Sequence, residues 1–281
     1  MLTALNIEEY THEGLWGKLR FFRRNRLRVE HSFCETAAVK SITYEHHHGR
    51  VGWASIDRFV KAQRNRVLCT EGMALPSELG YKRFESHELS RRMCENAALY
   101  LLRSLENTAV KTALIDPDGD CVGLCEALAA YSNPVYVVTQ ATSIYIAQAE
   151  NLLSQMGAAI RVSRSDSCLR DADLIIAPGC LTEALPCGSS AVILSGEKPS
   201  ADQLTPVVWK YSFDLARQYH AIKPPFLDDM YFASALYAMA GVRELETELF
   251  TRCSDGVTIH TRRSLLKQLT DRIGCDPAQM P

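Results

Sequence analysis

The chain has 281 residues, of which 47% are hydrophobic and 23% charged, and a formal net charge of −2 at pH 7. That length suggests two lobes, and the near-neutral balance argues against nucleic acid or an acidic membrane surface as the partner. No apolar run approaches the ~18–20 residues that span a bilayer, and the N-terminus lacks the basic and apolar regions of a secretory signal. The ten cysteines are scattered: Cys34, Cys69, Cys94, Cys168, Cys253 and Cys275 stand alone. The nearest pairs are Cys121/Cys125 and Cys180/Cys187, and no C-x-x-C occurs. This spacing favours reduced thiols packed as small hydrophobes in a cytoplasmic protein over a zinc site or disulfide framework.

Residues 1–30 are aromatic and basic, with six cations between Gly17 and Arg28. Such a segment can meet phosphates. In a chain that is not basic elsewhere it reads better as a solvated face with Leu19, Phe21, Phe22 and Leu27 turned inward. Residues 38–46 are β-branched and aromatic and read as a strand. His46, His47 and His48 follow into a turn at Gly49, and adjacent histidines on a strand point to opposite faces, so an exposed turn is expected there. Trp53, Ile56, Phe59 and Val60 repeat at helical spacing. Residues 1–85 are therefore read as a smaller N-terminal α/β lobe.

Ser86 is the expected N-cap of an amphipathic helix carrying Leu89, Met93, Ala97, Leu101 and Leu105, which would bridge two lobes over residues 86–106. From residue 107 onward the pattern changes. Short apolar runs at 112–116, 134–139, 159–162, 173–178 and 191–195 predict strands, and residues 121–131 and 143–156 predict helices, the second stopped by Gly157. Strands alternating with helices imply βαβ units and a parallel sheet, and continuous apolar strands imply burial on both faces. Asp228 and Asp229 open an acid-capped helix read over Met230–Ala240, with a continuation to Leu249 left open, and residues 261–272 read as a last helix. The fold class is α/β, with a doubly wound, mostly parallel, Rossmann-like sheet over 107–281.

In open α/β sheets ligands bind beyond the carboxyl ends of the strands. That rule selects the loops after Asp116, Thr139, Val162, Pro178 and Ser195. The first, Asp116-Pro-Asp-Gly-Asp-Cys-Val-Gly123, carries three carboxylates within five residues. From Thr112 to Pro178 the order of elements, with the phrases at Gly157–Val162 and Asp171–Pro178, is similar to the cofactor domain of shikimate-dehydrogenase-type NAD(P)-binding enzymes. The resemblance implies a dinucleotide at a G-x-G-x-x-G turn. Here the matching positions are Asp118, Asp120 and Gly123, and the second strand ends Thr139-Gln140, with no acid for NAD and no arginine for NADP. NAD(P) is therefore not the expected cofactor.

A shorter resemblance links Pro117–Gly123 to the first motif of DHH-type phosphoesterases, which implies Mg²⁺ or Mn²⁺ held by Asp116, Asp118 and Asp120. The histidine of that motif is replaced by Leu114, and no Asp-His-His occurs. Asp116-Pro-Asp-Gly119 is also similar to the haloacid-dehalogenase turn. As a purely structural element, the turn needs only Pro and Gly for its shape and one acid as helix cap. Three acids exceed that requirement, so some compensating cation or set of donors is expected beside them. Around the turn, Gly119, Asp120, Gly123, Thr139, Gly179, Cys180 and Ser195 complete the candidate ligand-binding set. Three classes of function follow: a small-ligand-binding Rossmann-like protein, a metal-dependent phosphoesterase, and an interaction protein whose α/β domain is scaffold.

Overall fold

The computed structural model describes residues 1–10, 24–47, 49–105 and 109–274. Residues 11–23 of the basic-aromatic segment, together with His48 and Cys275, lie outside them. The chain divides into two compact units, one made of Met1–Ser86 with Asp214–Leu245, the other of His87–Phe213 with the residues from Glu246 onward. No helix among the described residues is long and apolar enough to cross a membrane.

The first unit holds strands β1 (Leu2–Glu9), β2 (Arg26–Phe33) and β3 (Ala38–His46) in the order β1-β3-β2. β1 runs parallel to β3, and β2 antiparallel to it. Leu5, Ile42 and Tyr44 face helix α1 (Trp53–Val60), where Ile56 and Val60 complete a core with Val67 and Tyr81. Lys40 caps the end of α1 by donating to the Phe59 carbonyl, a favourable place for a cation. His47 is buried and stacks on Tyr10 at 4.8 Å, instead of lying in an exposed turn, while the His46 ring meets the Gly49 carbonyl.

The second unit opens with α2 (Glu88–Arg103), whose N-cap position falls on His87 rather than Ser86. Its sheet has six strands, all parallel: β4 (Thr112–Ile115), β5 (Val135–Val138), β6 (Ile160–Ser163), β7 (Leu174–Ala177), β8 (Val192–Ser195) and β9 (Val207–Val208). Helices α3 (Val122–Ala129) and α4 (Thr142–Met156) connect β4 to β5 and β5 to β6. As expected, Gly157 stops α4, in a left-handed conformation at φ 66. The crossover from β6 to β7 uses a 3₁₀ helix, Asp166–Asp171, where an α-helix would be usual. The strand order is β6-β5-β4-β7-β8-β9. The chain thus winds outward from β4 in one direction, then returns to β7 and winds the other way, a Rossmann-like arrangement that puts a topological switch point between β4 and β7.

Register alignment decides which side chains share a face. Ala113, Ile175 and Ile193 point one way, into a core closed by Leu169 of the 3₁₀ helix and by Leu181 and Ala191. Leu114, Ile176 and Leu194 alternate to the other face, and every residue of β7 and β8 is buried. α2 packs against β7 and β8.

Two further pieces go beyond the sequence reading. A small antiparallel sheet joins β10 (Lys210–Ser212), β11 (Arg252–Ser254) and β12 (Ile259–Thr261), where no strands are predicted. The acid-capped helix, α6 (Asp229–Ala240), follows a short helical turn α5 (Arg217–His220) and ends at Gly241, without the continuation to Leu249 that the sequence left open. Gly241 adopts φ 71 and its N–H closes back on Leu236, the left-handed stop that favours glycine. The Asp228 carboxylate caps α6 through the N–H groups of Met230 and Tyr231, and α6 packs on β1 in the first unit. Thr261 and Ser264 form a reciprocal capping box at the start of α7 (Arg262–Ile273).

Gly196 measures how closely α2 approaches the end of the sheet. A Cβ there would fall 2.1 Å from the Pro178 carbonyl oxygen and 2.8 Å from the Arg91 Cα. Backbone cannot yield as a side chain can, so Gly196→Ala is expected to cost at least about 2 kcal/mol. Urea denaturation checks this, and an unchanged midpoint would contradict the packing described.

Candidate functional site

The three acids of the first loop divide into different roles. Asp116 is buried, only 5% exposed, and its carboxylate accepts the backbone N–H of Asp120 at 3.2 Å and of Cys121 at 2.9 Å. It also accepts the Tyr145 hydroxyl from α4. Burial, then the bond to Asp116, pushes the Tyr145 pKa well up, so the hydroxyl stays a donor. Asp118 and Asp120 are exposed. Asp120 lies within electrostatic reach of Arg91, which α2 brings over the sheet edge. The two backbone N–H groups and the tyrosine hydroxyl thus all serve Asp116, while Arg91, hydrogen-bonded to Glu197, stands only within electrostatic reach of Asp120.

The same turn is locked to the next loop. The Gln140 N–H donates to the Pro117 carbonyl at 3.1 Å, and Thr139, buried to 1% exposure, accepts the Ala141 N–H through its hydroxyl. Gly119, at φ 83, lets the turn lie against α4, since a Cβ there would fall 2.8 Å from that of Ala141. At Gly123 nothing lies within 4 Å of an added Cβ, so the one surviving fingerprint glycine makes no close contact. Ser195 is wholly buried and donates to the Glu197 carbonyl at 2.7 Å and the Gly179 carbonyl at 3.2 Å. Thr139 and Ser195 thus stand at the predicted sheet edge but spend their hydroxyls on the backbone.

This arrangement does not fit a dinucleotide of the usual kind. A bound pyrophosphate is held by backbone N–H groups at the loop and helix N-terminus after the first strand. Here two of those groups already bind an internal anion, the Asp116 carboxylate, and two exposed carboxylates stand beside it. Nor do three His, Cys, Asp or Glu side chains converge on a metal-sized position among the described residues.

The open space lies on the other side of Pro117. A cleft of about 430 Å³ runs over the carboxyl ends of β4, β5 and β6 to the loop after β7. Its apolar floor is Ile115, Val138, Leu169 and Leu181, and its rim carries Gln140, Arg164, Asp166 and Glu183. Cys180, exposed, lines it beside Leu181. Of the candidate ligand-binding residues read from the sequence, the cleft takes in Cys180 alone. Arg164, Asp166 and Glu183 gave no signal there beyond their place after strand ends. Cys121 and Cys125, by contrast, are pushed up to about 12, first by burial and then by Asp116.

No family model matches the chain, and no curated protein matches it. Among solved structures, L-tryptophan dehydrogenase from Nostoc punctiforme aligns over 97% of this chain and 88% of its own, at 11% identity and a TM-score of 0.26.

Two outcomes follow from these contacts. Asp116→Asn leaves a buried acceptor set short and should cost about 1–3 kcal/mol, whereas Asp118→Asn should stay within ~0.5 kcal/mol; equal effects in denaturant titrations would show that the division of roles is wrong. Iodoacetamide at pH 8 should modify Cys180 and spare Cys121 and Cys125, as read by peptide mass spectrometry.

Proposed function

We propose that the second unit binds a small molecule in the cleft over the carboxyl ends of β4–β7 and does so without a dinucleotide. One observation carries this reading: the cleft lies at the point where the strand order reverses between β4 and β7, which is where open parallel sheets take their ligands. Its volume of about 430 Å³ is in the range of small-molecule sites. Its lining is about as polar as it is apolar, more polar than most small-molecule sites, which favours a polar ligand with an apolar part.

The phosphoesterase reading is less well supported. Two hard cations would need Asp116 as a bridging or terminal ligand, and its oxygens are committed to Asp120, Cys121 and Tyr145. Of the candidate ligand set, Asp118, Gly119, Asp120 and Gly123 lie outside the lining of this cleft, whereas Cys180 belongs to it.

The test is a thermal-shift screen of small metabolites, NAD, NADP, nucleotides, Mg²⁺ and Mn²⁺ against the parent chain and Ala184→Trp. Ala184 lines the cleft and is exposed, so the indole should fill space without unfolding the chain. A binder of the native state raises the melting temperature by mass action. The expected result is that metabolite shifts seen in the parent disappear in Ala184→Trp, and that NAD, NADP and the metals give none. Shifts that survive the block, or micromolar NAD or NADP binding, would overturn the proposal.

A further inference from the structure

Three charged side chains at the cleft have no ionic partner among the described residues, and this restricts what the cleft can take. Arg164 follows β6, Asp166 begins the 3₁₀ helix and Glu183 lies in the loop after β7. All three are exposed and none takes part in an ion pair among the described residues. Three other arginines of the unit are paired, Arg91 with Glu197 at 2.6 Å, Arg92 with Glu95, and Arg272 with Asp173 at 3.1 Å; what sets Arg164 apart is its place on the cleft.

We infer that the cleft takes a small zwitterion, an α-amino acid or close relative, whose carboxylate meets Arg164, whose ammonium meets Asp166 and Glu183, and whose apolar body lies on Val138, Leu169 and Leu181. The inference rests on the proposal that the cleft binds a small ligand. The charges decide among ligand classes. A dianion would satisfy Arg164 but face two carboxylates, and a diamine would satisfy the carboxylates but face the guanidinium. A neutral apolar ligand would leave all three charges unanswered at the rim. Only a molecule carrying both signs answers each of them, and complementarity of this kind sets specificity more than it sets affinity. A guanidinium is also suited to a carboxylate, because it can donate two parallel hydrogen bonds.

Cys180 supplies a built-in reporter. Its sulfur lies 3.4 Å from the Lys198 carbonyl oxygen, and the residue is exposed along the cleft, so an occupant should slow its alkylation. The experiment follows iodoacetamide labelling of Cys180 by peptide mass spectrometry in the full chain. Probes are leucine, methionine and phenylalanine, their deaminated acids, their decarboxylated amines, and neutral isosteres of the same size, each at millimolar concentration. The expected result is at least threefold protection by one or more amino acids, with little from the matching acid or amine. Arg164→Ala should abolish that protection, measured against the variant's own unliganded labelling rate, while leaving the melting temperature unchanged. Equal protection by acids, amines or neutral isosteres, or protection that survives Arg164→Ala, would overturn the zwitterion inference and leave the small-ligand cleft standing. Absence of protection by all the probes would overturn the zwitterion inference as well. If the Ala184→Trp screen also finds no cleft ligand, the proposal beneath it fails too.

Discussion

The carboxylate of Asp116 is the constraint around which the carboxyl edge of the parallel sheet is organised. It stands at the end of β4, holds the N–H groups that lead into α3, and takes the hydroxyl of Tyr145 from α4. One buried anion thus fixes the first strand, the first helix and the second helix to a single point. Burying it costs several kcal/mol unless donors surround it, so those three donors must be in place together. The arrangement also settles the electrostatics of the loop. Backbone dipoles that a related sheet would turn toward a phosphate are turned inward, and the open space is left on the other side of Pro117.

Much of the sheet was legible because its strands are apolar on both faces and its helices end in recognisable ways. Val135–Val138 and Leu174–Ala177 are continuous apolar runs, and Gly157 marks the end of α4. β9 to β12 were not legible, since two or three residues cannot display a period of two. The 3₁₀ helix before β7 was hidden for a similar reason: its six residues bury only Leu169. The helix ends at Ala240, where the run read from Met230 ends, and the continuation to Leu249 that the sequence left open fails at Gly241, whose left-handed turn outweighs the apolar residues past it.

The candidate site shows the same division. That three acids between Asp116 and Asp120 require compensation follows from repulsion alone. Which groups supply it does not, because Tyr145 is 29 residues further along the chain and Arg91 lies on a helix that precedes the sheet. The rim of the cleft was less legible still. Arg164, Asp166 and Glu183 are ordinary surface residues in sequence, and they acquire a common address only when β6 and β7 are placed on opposite sides of β4 and β5.

The first unit is discontinuous, and this has a consequence for synthesis. β1 leaves the ribosome long before α6, which packs on it and lies at Asp229–Ala240. All six parallel strands, from Thr112 to Val208, are translated in the interval. At ~5–20 residues per second, the α6-facing side of β1 waits roughly ten seconds or more for its cover. A nascent chain holding apolar surface open for that long is a substrate for holding chaperones. The order of translation therefore makes the second unit the earlier to complete its sheet and the N-terminal unit the later to close.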